Sequence, residues 1–516
     1  MSAAVQSAWE PAKLPKIAYG KGSYLYDTAG KQYIDGSGGP AVFCLGHGNE
    51  EVNAAIKAQL DRIAHGYRYT FTSDPLEQLM EIVRRACGAA SGLTRMIFVS
   101  SGSEAVESCL KIALQYHSAR GEQSRRRFIA RQRSWHGNTL GALAVSGFRD
   151  RRLPFEGALV EASLLSPVNA YRPPAGVKPE CLVEHCANEL EQEIARLGAH
   201  RVAAFIFEPV VGAAGGAVPA PPGYAKRVRE ICDRTGVLMI ADEVMCGSGR
   251  CGTWRALEHD GVVPDIMSVA KGLGAGYLPL GAAILQERLW EPLAQRHGGL
   301  MTGHTFSGHT AACAAGVAVK TIVERDRLLD KVKEDGLYLA SLLRQSLGER
   351  PYIGDIRGRG FFLGIELVAD RASKEPYDPT LQLFARIRDQ SFANGLICYP
   401  VGGNVDGVKG DHVILAPPYN ATRAELEEIV DKLQGSLTDV MAALPKRQAV
   451  RGESALSRAS EREREGTYRV SDGESEGMPS TELEQPSPGR RRSAASAPSP
   501  ASKCGRGRWS QAHAVH

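Results

Sequence analysis

The sequence predicts an α/β protein built on a largely parallel sheet with helices on both sides. Two observations carry this. Residues 96–99, 203–207, 237–240 and 266–269 are short, mostly apolar runs, the pattern of strands buried on both faces. Helical stretches lie between several of them, at 105–118 and 224–234. Strand–helix alternation is how a chain crosses between parallel strands.

Taken in order, residues 1–70 are mixed. Residues 24–26 and 32–34 flank an Asp-Thr-Ala-Gly turn at 27–30 and read as a β-hairpin. Residues 71–325 hold the strand–helix alternation and form the expected large domain. Residues 326–445 return to mixed α/β character and form a second, smaller unit. It opens with a charged helix near 325–346. It ends with an amphipathic helix near 424–433, entered at Asn420 and Thr422, with Gly435 expected as its stop. Residues 446–516 are rich in Ser, Arg, Glu, Gly and Pro. Too few apolar side chains remain there to offset the entropy of ordering, so this tail is predicted to be disordered.

Composition narrows the function classes. Of 516 residues, 43% are apolar and 23% charged, which is ordinary globular usage. The net charge of +4 includes a basic tail and offers no broad basic face for nucleic acid. The N-terminus lacks the pattern of a secretory signal, and no run approaches the roughly 18–20 apolar residues of a membrane helix. The 11 cysteines are scattered without zinc-site spacing. The expectation is a soluble cytoplasmic enzyme with reduced thiols and no metal.

Four places carry chemistry. At 100–105, Ser-Ser-Gly-Ser-Glu-Ala joins a strand to a helix. Gly102 and Ser103 begin that helix, where free amides and the positive end of the dipole bind phosphate; taken alone, the same residues are an ordinary helix cap. Trp135-His-Gly137 follows a short apolar run, and an aromatic ring there stacks on a planar ligand or simply fills core. Asp242 ends the third run, where open α/β sheets place ligands. A carboxylate buried there needs a cationic partner, which a protonated pyridine nitrogen supplies; a loop cap is the plainer reading. Lys271 follows the fourth run directly and precedes glycines. Desolvation lowers the pKa of such a lysine and favours imine chemistry, although a lysine paired to a carboxylate is also compatible. Around Lys271 the Walker pattern is absent. The glycines from Gly358 to Gly364 miss the dinucleotide spacing by one place. Each signal is modest alone. Phosphate loop, aromatic, acid and lysine in this order point to a pyridoxal-5'-phosphate enzyme with the cofactor on Lys271.

These residues sit in longer motifs: Ser-Gly-Ser-Glu-Ala at 101–105, His136-Gly137, Glu208-Pro-Val, the Asp242–Gly252 segment, Ala-Lys-Gly-Leu-Gly at 270–274, His-Thr-Phe-Ser-Gly-His at 304–309, and Arg357-Gly-Arg-Gly with Glu366. The set resembles the class III aminotransferases of fold type I, over about residues 10–440. The resemblance implies a three-layer large domain and a smaller α/β domain drawn from both chain ends. It implies that Gly102 and Ser103 hold the cofactor phosphate. Trp135 stacks on the ring where the family usually has Tyr or Phe, with His136 beside it. Asp242 pairs with the pyridine nitrogen, Val244 packs on the other ring face, and Glu208 supports the ring-oxygen side. Lys271 forms the Schiff base and shuttles the proton. Thr305 of a neighbouring subunit completes the phosphate site, which implies a homodimer.

The departures bear on substrate. After Glu208-Pro-Val, family members that use 2-oxoglutarate often carry Gln-Gly-Glu, whose glutamate gates an arginine; here Val211-Gly-Ala213 stands instead. The 410–418 segment is similar to ω-amino-acid:pyruvate aminotransferases, but Gly407-Val-Lys409 replaces an arginine found just before it in some of them. Lys409 is then the candidate for the substrate carboxylate. Ser248 and Cys251 replace commoner Phe and Thr. The expected reaction moves an amino group from an amine or ω-amino acid to a 2-oxo acid, with pyruvate favoured. An aminomutase or a decarboxylase would use the same residues. A non-catalytic homologue would be expected to lose Lys271 or Asp242, and both are present.

Overall fold

Seven strands form the central sheet of the computed structural model, which describes residues 14–444. Their spatial order is Leu93–Val99, Gly281–Gln286, Ile266–Val269, Leu238–Asp242, Val202–Phe207, Arg127–Arg131, Ala162–Leu165. All run parallel except Gly281–Gln286, which is antiparallel to both neighbours. Every residue of the three central strands is buried, which is why they read as unbroken apolar runs. Side chains alternate between the two faces. Ile206 and Ile240 join Val106 and Leu110 of helix Gly102–Ala119 in one core. Phe205 and Met239 join Leu190 and Ile231, from helices Leu182–Leu197 and Tyr224–Thr235, in another. The expected layers, helix on sheet on helix, are therefore present.

Segments far apart in the chain meet in a second sheet. Ile17–Lys21, Tyr24–Asp27 and Gln32–Asp35 form an antiparallel meander, and Leu396–Ile397 adds beside Gln32–Asp35 in parallel. A third, antiparallel sheet is ordered Ile353–Arg359, Phe362–Leu367, Asp411–Leu415, Tyr399–Gly402. Helices Leu328–Leu347 and Arg423–Ala442 bury Leu339, Leu343, Ile429 and Leu433 in the same core as Ile365 and Leu367 of that sheet.

Several boundaries differ from expectation. The charged helix starts at Leu328, because Thr310–Arg325 is a helix of its own and Arg327 turns the backbone with φ of 50°. Gly435 does not stop the last helix. The buried stripe of Leu426, Ile429, Val430 and Leu433 continues with Leu437 and Val440. That burial outweighs the roughly 1 kcal/mol helix cost of one glycine. Thr422 is the expected N-cap and forms a capping box with Glu425. The segment from Gly358 to Gly364 spans the hairpin between two antiparallel strands rather than a strand–turn–helix. The tail expected to be disordered lies outside the described residues. No helix among the described residues is long and apolar enough to cross a membrane.

Candidate active site

The parallel strands deliver their carboxyl ends to one side of the sheet, and a cleft opens there. Gly102, Ser103, Trp135, His136, Glu208, Asp242, Val244 and Lys271 all line it. Asp242 is the last residue of its strand and pairs in register with Ser268 of the next. Its Oδ1 accepts from the Ser268 hydroxyl at 3.1 Å and the Val244 amide at 3.0 Å. Its Oδ2 lies 2.7 Å from His136 Nδ1. Both side chains are buried. His136 Nε2 is buried without a partner among the described residues.

Lys271 opens a short turn directly after Ile266–Val269, with φ of 42°, a left-handed conformation rare for a residue with a side chain. Its Nζ donates to the Pro40 carbonyl at 3.2 Å. Burial pushes its pKa down from 10.5 to about 8; Asp242 and Glu208 oppose the shift and Arg250 adds to it. Glu208 accepts from the Trp135 amide at 2.9 Å and the Gly212 amide at 2.8 Å. Burial, reinforced by Asp242, raises its pKa to about 7 against the pull of His136 and those amides.

At the other side of the cleft, Ser101 caps helix Gly102–Ala119 by accepting from the Glu104 amide at 3.1 Å, while Glu104 accepts from the Ser100 amide at 2.7 Å. Gly102 and Ser103 are the first two residues of that helix, where the amides have no intrahelical acceptor and stand at its positive end. A Cβ on Gly102 would stand 2.8 Å from Val244 Cγ1, so only glycine lets the helix start approach this closely.

Two predicted residues are elsewhere. Thr305 is exposed and outside this cleft; its carbonyl is 3.2 Å from His65 Nε2. Lys409 is also exposed and outside the cleft lining. Its amide closes a turn on Asp406 at 2.7 Å. The structure therefore does not bring Lys409 to the site, as had been expected of a carboxylate ligand. Sequence reasoning missed Val42 and Pro40, which reach the site from the N-terminal segment. It also passed over Arg250, which is fully buried and donates to the carbonyls of Pro417 at 2.6 Å and Phe361 at 3.2 Å. Its position inside the quoted Asp242–Gly252 motif was the available signal.

The aminotransferase class III family model matches residues 5–437. The chain belongs to the class III aminotransferases. It is 41% identical over 433 residues to an uncharacterized aminotransferase of Schizosaccharomyces pombe, covering 84% of this chain and 94% of that protein. An uncharacterized aminotransferase of Bacillus subtilis is 39% identical over 432 residues, 84% of this chain and 97% of that one. Among solved structures, an amine transaminase from an uncultivated Pseudomonas species, in its PLP-bound form, superposes with a TM-score of 0.79 at 35% identity, covering 85% and 97% of the two chains. As a class III aminotransferase the chain is an enzyme, and its cofactor is pyridoxal 5'-phosphate.

The residues present fit that cofactor. Two free amides at a helix start suit a phosphate, a buried carboxylate suits a cationic ring nitrogen, and a lysine of lowered pKa suits a carbonyl. Trp135 supplies a flat apolar wall, held edge-to-face by Phe148 at 6.0 Å.

Proposed function

We propose that this class III enzyme transfers an amino group from an amine or ω-amino acid to a 2-oxo acid, with pyruvate as the preferred acceptor. The observation that carries the reading is the meeting of Lys271, Asp242 and the Gly102–Ser103 amides in one cleft. When bound, the cofactor supplies an electrophilic carbonyl and a ring that withdraws electrons. Lys271 would hold that carbonyl through its amine, and the same amine would carry the proton that the reaction moves. Asp242, fixed by Ser268, Val244 and His136, would keep the ring nitrogen protonated. Trp135 and Val244 would hold the ring. Glu208, with its pKa near 7, would support the ring-oxygen side and could share a proton there.

Thr305 serves a second subunit in this reading. It lies outside its own cleft on a surface where Tyr69, Phe71 and Phe306 are each more than half exposed. A homodimer would cover that apolar surface and complete each phosphate site. The described cysteines are free thiols, mostly buried, which suits a cytoplasmic protein.

The acceptor preference rests on Ala213, which lines the cleft where a gating carboxylate would stand. A second substrate carboxylate, once desolvated, needs a partner worth at least about 1–3 kcal/mol. A panel of amine donors, run with pyruvate and with 2-oxoglutarate, tests both parts. Transamination is expected with several donors, and kcat/KM about tenfold or more higher for pyruvate. Carbon dioxide release from an amino acid donor without 2-oxo acid consumption would indicate a decarboxylase instead. An equal or higher 2-oxoglutarate value would remove the argument from Ala213.

A further inference from the structure

The stretch that carries Ala213 has no side chain of its own to hold it. Residues 212–217 read Gly-Ala-Ala-Gly-Gly-Ala. They turn between two short antiparallel strands, Val210–Val211 and Val218–Pro219. Gly216 and Ala217 have positive φ, 85° and 53°. Glycine-rich backbone of this kind loses much freedom on ordering, and methyl groups anchor little. Yet the site depends on where the segment stands. Ala213 lines the cleft with Lys271, and the Gly212 amide donates to Glu208 at 2.8 Å. Glu208, Val211, Gly215 and Val218 also line a second cavity, with Phe207 and Ala220. Its volume of about 50 Å³ exceeds the roughly 30 Å³ that one water occupies in the liquid. The segment therefore borders both the cleft and free space into which it has room to yield.

Arg357, from strand Ile353–Arg359, holds the segment from outside. Its Nε donates to the Gly216 carbonyl at 2.9 Å and its Nη2 to the Gly215 carbonyl at 2.7 Å. Its Nη1 donates to Glu366 at 2.6 Å and to Asp355 at 3.0 Å. Two carboxylates thus fix the guanidinium, and its free edge grips the segment. The neighbouring strand closes on the same carbonyl, since a Cβ on Gly364 would overlap the Gly216 oxygen. His412, in register with Glu366, is fully buried against Gly216. Burial, together with the Arg357 charge, pushes its pKa down to about 3, so it packs there as a neutral ring. Arg172 shares Glu366 but ends on the Lys374 carbonyl at 2.8 Å, not on the segment.

We propose that Arg357 is a positioning residue for acceptor selection: by holding the Gly215 and Gly216 carbonyls it keeps Ala213 against the cleft, so that the methyl of pyruvate fits and a longer 2-oxo acid is turned away. This rests on the transamination reading above and deepens it. Arg357 is outside the cleft lining and acts through the segment alone. Once loosened, the segment retreats toward the second cavity, and a larger acceptor gains where pyruvate loses. A hydrophobic wall discriminates one methylene by about 10-fold to 200-fold, and only while the wall stays in place.

The test runs the acceptor half-reaction on holoenzyme in its pyridoxamine-5'-phosphate form, followed by the cofactor's visible absorbance. The acceptors are pyruvate, 2-oxobutyrate and 2-oxohexanoate. Arg357→Lys keeps a charge for Glu366 and Asp355 but cannot reach both carbonyls, because an ammonium lacks the planar fork. Its ratio of pyruvate to 2-oxohexanoate efficiency should fall about fivefold or more, with 2-oxobutyrate between. The loss for pyruvate should lie in the concentration giving half-maximal rate rather than in the limiting rate, because Lys271 and Asp242 are untouched. Arg172→Lys disturbs the same buried acid without touching the segment, and should keep the wild-type ratio within about twofold. An unchanged ratio in a folded Arg357→Lys, or an equal fall in Arg172→Lys, overturns the assignment and leaves transamination standing. A wild type that takes 2-oxohexanoate as well as pyruvate overturns it too. Should Arg357→Lys not fold, Gly364→Ala takes its place: the new Cβ displaces the Gly216 carbonyl directly, and a wild-type ratio there overturns the assignment. A wild type whose pyridoxamine form reacts with no 2-oxo acid refutes the transamination reading and this inference with it.

Discussion

Lys271 and Lys320 are both withdrawn from water, and burial lowers both pKa values to about 8. Each donates from Nζ to one backbone carbonyl at 3.2 Å, Lys271 to Pro40 and Lys320 to Ser248. Their surroundings then diverge. Lys320 sits inside helix Thr310–Arg325, 5% exposed, with the Trp254 ring 4.9 Å from its Nζ. Lys271 stands at a strand end, on a turn with positive φ, and lines the cleft with Asp242 and Glu208. A lowered pKa is therefore not what marks a reactive lysine here. Desolvation produces it wherever a lysine is buried. What marks Lys271 is an open side facing a carboxylate, reached because the strand stops two residues before it.

Replacing Lys271 with Ala should break the contrast most completely. The variant is expected to lose transamination by at least roughly a thousandfold, together with the visible absorbance of bound cofactor. Turnover near the wild-type rate would remove Lys271 from the chemistry.

Asp242→Asn tests whether the carboxylate beside Lys271 matters. An amide of the same shape cannot hold the ring nitrogen protonated. The expected loss is about 1.5–3 kcal/mol of transition-state stabilisation, or roughly tenfold to a hundredfold in kcat, with some cofactor retained. A rate within about threefold of wild type would assign Asp242 a packing role only.

The pKa itself predicts a pH dependence for covalent cofactor uptake by the apoenzyme. The neutral amine is the nucleophile. Lys271 is lowered from 10.5 to about 8, so below about pH 8 most of it is protonated. Uptake should rise about tenfold per pH unit up to about 8 and level off above it. Stopped-flow absorbance on mixing apoenzyme with pyridoxal 5'-phosphate reads this directly. A rate still climbing beyond pH 9.5 would show that burial does not lower Lys271 as described.

Lys320→Met should have the smallest effect on catalysis. The thioether fills similar space, and the lost contacts are with Ser248 and Trp254, not with the cleft. Steady-state kcat is expected within about twofold of wild type. A large loss would mean that Lys320 reaches the chemistry through Ser248, which belongs to the Asp242–Gly252 motif.

The sequence by itself determined the central strands, because burial on both faces forces continuous apolar runs at 203–207 and 266–269. It also determined that an acid and a lysine follow two of those runs at once, since residue order at a strand end is written directly in the chain. Of the ten marked residues, all but Thr305 and Lys409 line the cleft. Tertiary structure alone decided the rest. That Gly281–Gln286 runs antiparallel depends on pairing, which hydrophobicity does not record. The helix through Gly435 is held by a core assembled from distant segments, which local propensity cannot weigh. Pro40 reaches Lys271, and Arg151 stacks on Trp135, across separations that no motif spans. Lys409 looked close to the substrate because it is adjacent in sequence to a recognisable segment. Its backbone turns on Asp406 instead, and the side chain stays in water. Chemistry at strand ends is set by local order, whereas the substrate wall is built from loops, and loops take their positions only from what they pack against.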